Sequence, residues 1–145
     1  MTFFAVRKQI ADELEQFVKD GSVKKVYTPN NSLQVTENQQ VTPSLHVNYA
    51  GVGDVESRAS GKVNALTKRY AVSIACRNEA SQRDNGLALD DQLGELTNKV
   101  IKVLGGFYPE DALEPLRLLA NLRESYSLGG FAYMTLIFEV KELVR

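Results

Sequence analysis

Residues 129–140, Gly-Gly-Phe-Ala-Tyr-Met-Thr-Leu-Ile-Phe-Glu-Val, constrain the fold of this chain more than any other stretch. Read with a period of two, Ala132, Met134, Leu136, Phe138 and Val140 make one wholly apolar face, and Phe131, Tyr133, Thr135, Ile137 and Glu139 make a mixed one. That alternation describes a strand with one side in a core and the other against something less dry. A second such strand is expected over residues 66–77. There Leu66, Tyr70, Val72, Ile74 and Cys76 share a face, opposite Thr67, Arg69, Ala71, Ser73, Ala75 and Arg77. A third, over 44–50, alternates Leu45, Val47 and Tyr49 with Ser44, His46 and Asn48.

Two amphipathic helices are available to cover the apolar side. Phe3, Val6, Ile10, Leu14, Phe17 and Val18 recur at helical spacing, and Gly21 is expected to end that helix. Leu89, Leu93, Leu96, Val100, Val103 and Leu104 mark the second, over residues 87–104. Its acidic residues Asp90, Asp91 and Glu95 lie toward the N-terminus and Lys99 and Lys102 toward the C-terminus, as the helix dipole favours. Gly105-Gly106 stops it. A short extended piece is expected over 23–27, an irregular polar loop or weak hairpin over 30–43, and a long mobile loop over 51–64. Residues 78–86 read as a polar turn. In 110–124, helical propensity conflicts with Pro115, which predicts a helical turn near 111–113, a strand over 116–124 and a hairpin turn over 125–130. The order predicts one α+β domain over residues 1–145, a mostly antiparallel sheet with two amphipathic helices packed on one face.

A chain of 145 residues can bury a core without staples. Seventeen basic and eighteen acidic side chains leave it nearly neutral, which removes the bulk electrostatic drive toward nucleic acid or anionic membrane. Cys76 is the only cysteine, so no intrachain disulfide forms. The absence of a long apolar run or a charged-then-apolar leader argues against secretion and membrane spanning, and a cytoplasmic site of synthesis is expected.

Nothing assembles into a catalytic set. His46 is the only histidine, which excludes a two-histidine metal site within one chain, and it reads as a hydrogen-bonded surface residue. Cys76 is in phase with Tyr70, Val72 and Ile74 and reads as a buried small hydrophobe. Gly51-Val52-Gly53 lacks the third glycine and the following helix of a phosphate loop. Asp90 and Asp91 are adjacent on a helix and point apart. Arg58, Lys62, Lys68 and Arg69 form a loose basic cluster around the 51–64 loop. No enzyme, metal or cofactor is expected. The mixed sheet face is the better candidate: small Ala71 and Ser73 beside Phe131, Tyr133 and Ile137 let another surface approach closely. Those five residues are the expected subunit contacts, and Arg58 and Lys62 the expected charges of a loop touching a tube or a neighbour.

The helix end Leu104-Gly105-Gly106-Phe107-Tyr108-Pro109, the run Leu116-Arg117-Leu118-Leu119 and the closing strand through Tyr133 to Phe138 resemble phage tail-terminator (tail-completion) proteins, in particular those of Mu-like phages and prophages. The resemblance spans most of the chain. It implies a non-enzymatic assembly protein that forms a ring, commonly a hexamer, on the last tier of the tail tube, halts tube polymerisation and presents a head-joining surface. The partners it implies are further copies of the chain, the tail tube protein and a head-completion protein. No membrane and no direct nucleic-acid binding are expected. The protein would occupy the host cytoplasm during assembly and then the virion tail. The competing class is a small bacterial α+β module that binds a ligand or nucleic acid.

Overall fold

A computed structural model describes residues 2–29, 39–77, 87–120, 123–127 and 129–145. The expected turn at 78–86, and most of the expected loop at 30–43, lie outside the described residues. Helix α1 (Ala5–Leu14) runs almost directly into a single turn, α2 (Gln16–Lys19), and the chain then passes into β1 (Lys25–Tyr27). Strands β2 (Ser44–Arg58) and β3 (Val63–Arg77) follow, then helix α3 (Leu87–Leu104), the two short strands β4 (Arg117–Leu118) and β5 (Arg123–Tyr126), and the closing strand β6 (Phe131–Val144). The sheet order is β1-β2-β3-β6-β4, with β5 also on β6. All pairings are antiparallel except β1 with β2. The fold is the expected α+β layer pair, with both helices against one face.

The helical stripes explain that layer. Val6, Ile10 and Leu14 of α1 and Leu89, Leu93, Leu96, Val100 and Leu104 of α3 are buried against Leu45, Val47, Tyr70, Val72, Ile74, Leu136, Phe138 and Val140 of the sheet. Each such side chain contributes about 1.5–3 kcal/mol relative to exposure, so the stripes select this face decisively. Cys76 is in the same core, where burial pushes its thiol up to about 11. At the end of α3, Gly106 adopts φ +82°, a left-handed value that L side chains resist, and its N–H donates to Leu116 O at 3.0 Å.

Two expectations are corrected. Residues 51–64 are not a loop. The β2–β3 ladder continues to Arg58↔Val63, closed by a 3-10 turn at Ala59–Gly61, so the segment is a β-hairpin arm. Register shifts between Tyr49 and Gly51 and between Val52 and Asp54 reset the period-two pattern twice, and residues 52–62 are exposed, so neither alternation nor an apolar face marks the strand. At the second bulge Gly53 lies under Arg69, whose guanidinium would stand 2.8 Å from an added Cβ.

The second correction concerns 110–124. A turn with Ala112 N–H donating to Pro109 O stands where a helical turn was expected, and the expected single strand is two short pieces. Arg117 stands opposite Glu139 and Arg123 opposite Thr135, so six residues along one edge pass four along the other. The closing strand in turn runs four residues beyond Val140. Its extension includes Glu142, which is buried on the core face with Lys68: their side chains are 3.2 Å apart. Lys68 therefore does not belong to an exposed basic cluster. It also donates to Phe3 O at 2.7 Å, while Tyr70 Oη–H donates to Glu142 Oε2 at 2.9 Å.

Candidate assembly surface

The face of the sheet away from the helices collects the mixed sides of β2, β3 and β6. Cross-strand register aligns Asn48, Ala71 and Ile137 in one row, His46, Ser73 and Thr135 in the next, and Ser44, Ala75 and Tyr133 in a third. Ser73 Oγ and Thr135 Oγ1 share a hydrogen bond at 3.0 Å. Ala71, Ser73, Tyr133 and Ile137 are half-buried, leaving a shallow surface of small and apolar groups. Phe131 lies on the same face but is only 1% exposed. Its ring stacks on Tyr133 at 6.1 Å and carries the Arg77 guanidinium 4.7 Å above it, so it supports the surface from below.

One end of this face is roofed by the chain itself. Gln40 Nε2 donates to Tyr133 Oη at 3.0 Å, and Val41 N–H donates to Tyr27 Oη at 3.0 Å. Gln40 Oε1 is 3.0 Å from His46 Nε2, whose ring stacks on Tyr27 at 4.8 Å. Burial lowers the His46 pKa, which favours a neutral ring donating to Gln40. The tie from Gln40 to Tyr133 was not legible in a polar stretch without periodicity.

At the other end, Glu139 accepts from Arg69 Nε at 3.1 Å and from Arg117. Burial opposes ionisation of Glu139, but the hydrogen bonds and charges of Arg117 and Arg69 prevail and hold its pKa below the ordinary value. Period two already put Arg69 and Glu139 on the mixed faces of their strands, and the register of β3 with β6 sets them opposite each other. Arg117 was missed because a two-residue strand has no period to read. The structure thus gathers Ala71, Ser73, Phe131, Tyr133 and Ile137 on one face. Arg58 and Lys62 are exposed at the arm's tip, ten rows from Ser73, or about 30 Å at ~3.3 Å per residue. Among the described residues no three His, Cys, Asp or Glu side chains cluster as metal ligands, and no helix is long and apolar enough to cross a membrane.

The described structure is thus a two-layer domain with a semi-apolar sheet face and a hairpin arm. The family model for phage tail terminator protein matches residues 1–145, and the chain belongs to that family of structural phage proteins. Among solved structures it is similar to a chain of the "Virion of native gene transfer agent (GTA) particle", with a TM-score of 0.54 and 12% identity, covering 94% of this chain and 93% of that one. That likeness is one of fold. No curated protein matches the chain.

Proposed function

We propose that copies of this chain close into a ring, a hexamer, on the last tier of a phage tail tube, where the ring stops tube polymerisation and offers the head-completion protein its docking surface. Family membership across residues 1–145 is the observation that carries this reading. The half-buried strip of Ala71, Ser73, Tyr133 and Ile137, supported by Phe131, is the proposed contact between subunits. The arm tip with Arg58 and Lys62 is the proposed contact with the tube or a neighbouring subunit. The role needs no catalysis and no cofactor: a ring acts by geometry, and a heterologous contact closes when its rotation divides the circle. The helix end Leu104–Pro109 and the strand from Tyr133 to Phe138 support a Mu-like origin, with assembly in the host cytoplasm and residence in the virion tail.

Tyr133→Asp tests the surface by setting a charge on the strip. Its oligomer, measured by size exclusion with light scattering, is expected to be lost while the fold persists. Because ring formation can depend on the tube, tail length is the sharper readout: cells carrying the variant should build overlong, headless tails. Tails of normal length joined to heads would exclude this face from assembly.

A further inference from the structure

The sheet's outer face is strongly basic on a chain whose net charge is −1. Outside the hairpin arm, register and side-chain contacts place Lys25, Arg69, Arg117 and Arg123 on that face with Glu139, and Arg77 lies there too, donating to Gly129 O and sitting over the Phe131 ring. Lys25, Arg77, Arg117 and Arg123 are exposed, and a single carboxylate shared by Arg69 and Arg117 leaves one of those two charges uncompensated.

The opposite charge is gathered on the helix side. Asp90 on α3 and Glu124 on β5 are exposed there, whereas Asp91 points away from Asp90 and Glu95 pairs with Lys99 at 3.9 Å. Tyr126, 55% exposed, ties the two elements together, its hydroxyl 2.7 Å from Asp90 Oδ1 and 3.2 Å from Glu124 Oε2. Tyr126 is in phase with Ala132, which belongs to the core face, so the acidic patch and the basic face lie on opposite sides of the sheet. An exposed aromatic flanked by two carboxylates complements arginines set around small side chains, because Tyr supplies contact area and the ion pairs fix orientation. Two different, complementary patches on opposite sides of one subunit join copies head to tail.

We infer that the basic outer face of one copy seats the Tyr126-centred acidic patch of the next copy. This rests on the ring reading and assigns its two contacting surfaces. The test uses two reversed proteins, Arg77→Glu/Arg123→Glu and Asp90→Lys/Glu124→Lys, each checked for unchanged thermal unfolding. If the first is unstable, Lys25→Glu/Arg123→Glu replaces it. Sedimentation of each protein and capping of tubes co-assembled with it are both measured. Each reversed protein alone should fail to form rings and to cap. An equimolar mixture should regain rings and capping, since each native face then meets a native patch and each reversed face a reversed patch. All four reversals in one chain should restore both properties.

Capping by either reversed protein alone at the wild-type level, or a mixture that forms no rings, would overturn the assignment and leave the ring reading standing. A wild type that neither forms rings nor arrests tubes would sink the ring reading itself. Loss of a gel shift with duplex DNA by the Arg77→Glu/Arg123→Glu protein, with its assembly unchanged, would reassign the basic face to nucleic acid.

Discussion

At the residue scale, the most consequential side chain is Lys68. Its ammonium is 1% exposed and has two oxygen partners, Glu142 Oε1 at 3.2 Å and Phe3 O at 2.7 Å, with the Phe3 ring 3.6 Å away. Removing one member of a buried pair costs more than the pair contributes, because the remaining charge keeps its desolvation penalty. Lys68→Met should therefore destabilise the domain by about 3–5 kcal/mol, seen as a lower urea midpoint with an unchanged slope. The Tyr70 hydroxyl still donates to Glu142 and favours the low end. Pairing it with Glu142→Leu should recover most of the loss, since neither charge is then stranded. Equal losses in the single and double variants would show that Lys68 acts through packing of its stem. Phase alone hinted at this site: Lys68 sits two residues before Tyr70, on the apolar side of its strand. The buried partner was hidden because Glu142 lies beyond the stretch in which β6 alternates cleanly.

At the element scale, legibility followed burial. Helix α3 and the central parts of β3 and β6 were readable because their buried sides repeat without interruption, and Val72, Ile74, Leu136 and Phe138 all reach the core. The arm was not, because strand pairing there proceeds without a buried face. Its residues 52–62 are all exposed, so its tip contributes little to stability. Replacing residues 58–63 by Asn-Gly keeps Ser57 opposite Asn64 and supplies a two-residue hairpin turn. The melting temperature should stay within a few degrees of wild type, as expected for surface changes of about ±0.5 kcal/mol. Tube capping should fail, since Arg58 and Lys62 are gone. A shortened arm that caps tubes normally would remove the tip from the contact. The same reasoning explains the split edge of β4 and β5, whose register against β6 shifts by two residues at a sheet margin.

At the scale of the whole molecule, the two drives in the proposed assembly have opposite salt signatures. In the proposed ring the half-buried strip of Ala71, Ser73, Tyr133 and Ile137 would draw a partner by excluding water, and stabilising salts such as sulfate strengthen burial of that kind. The basic outer face and the acidic patch around Tyr126 attract through charges that salt screens, with a screening length that falls from ~10 Å at 0.1 M to ~3 Å at 1 M. The strip and the arginines share one face, so both act on the same joint. Complementary charge mainly accelerates encounter and fixes orientation, whereas buried apolar area slows separation. Between about 0.1 and 1 M sodium chloride, ring formation from dilute subunits should therefore slow about tenfold or more, while rings already formed should separate at nearly their original rate. Stopped-flow light scattering for association and dilution for dissociation measure the two limbs. Faster separation at high salt with unchanged association would place the charges in the bound joint and leave encounter unsteered.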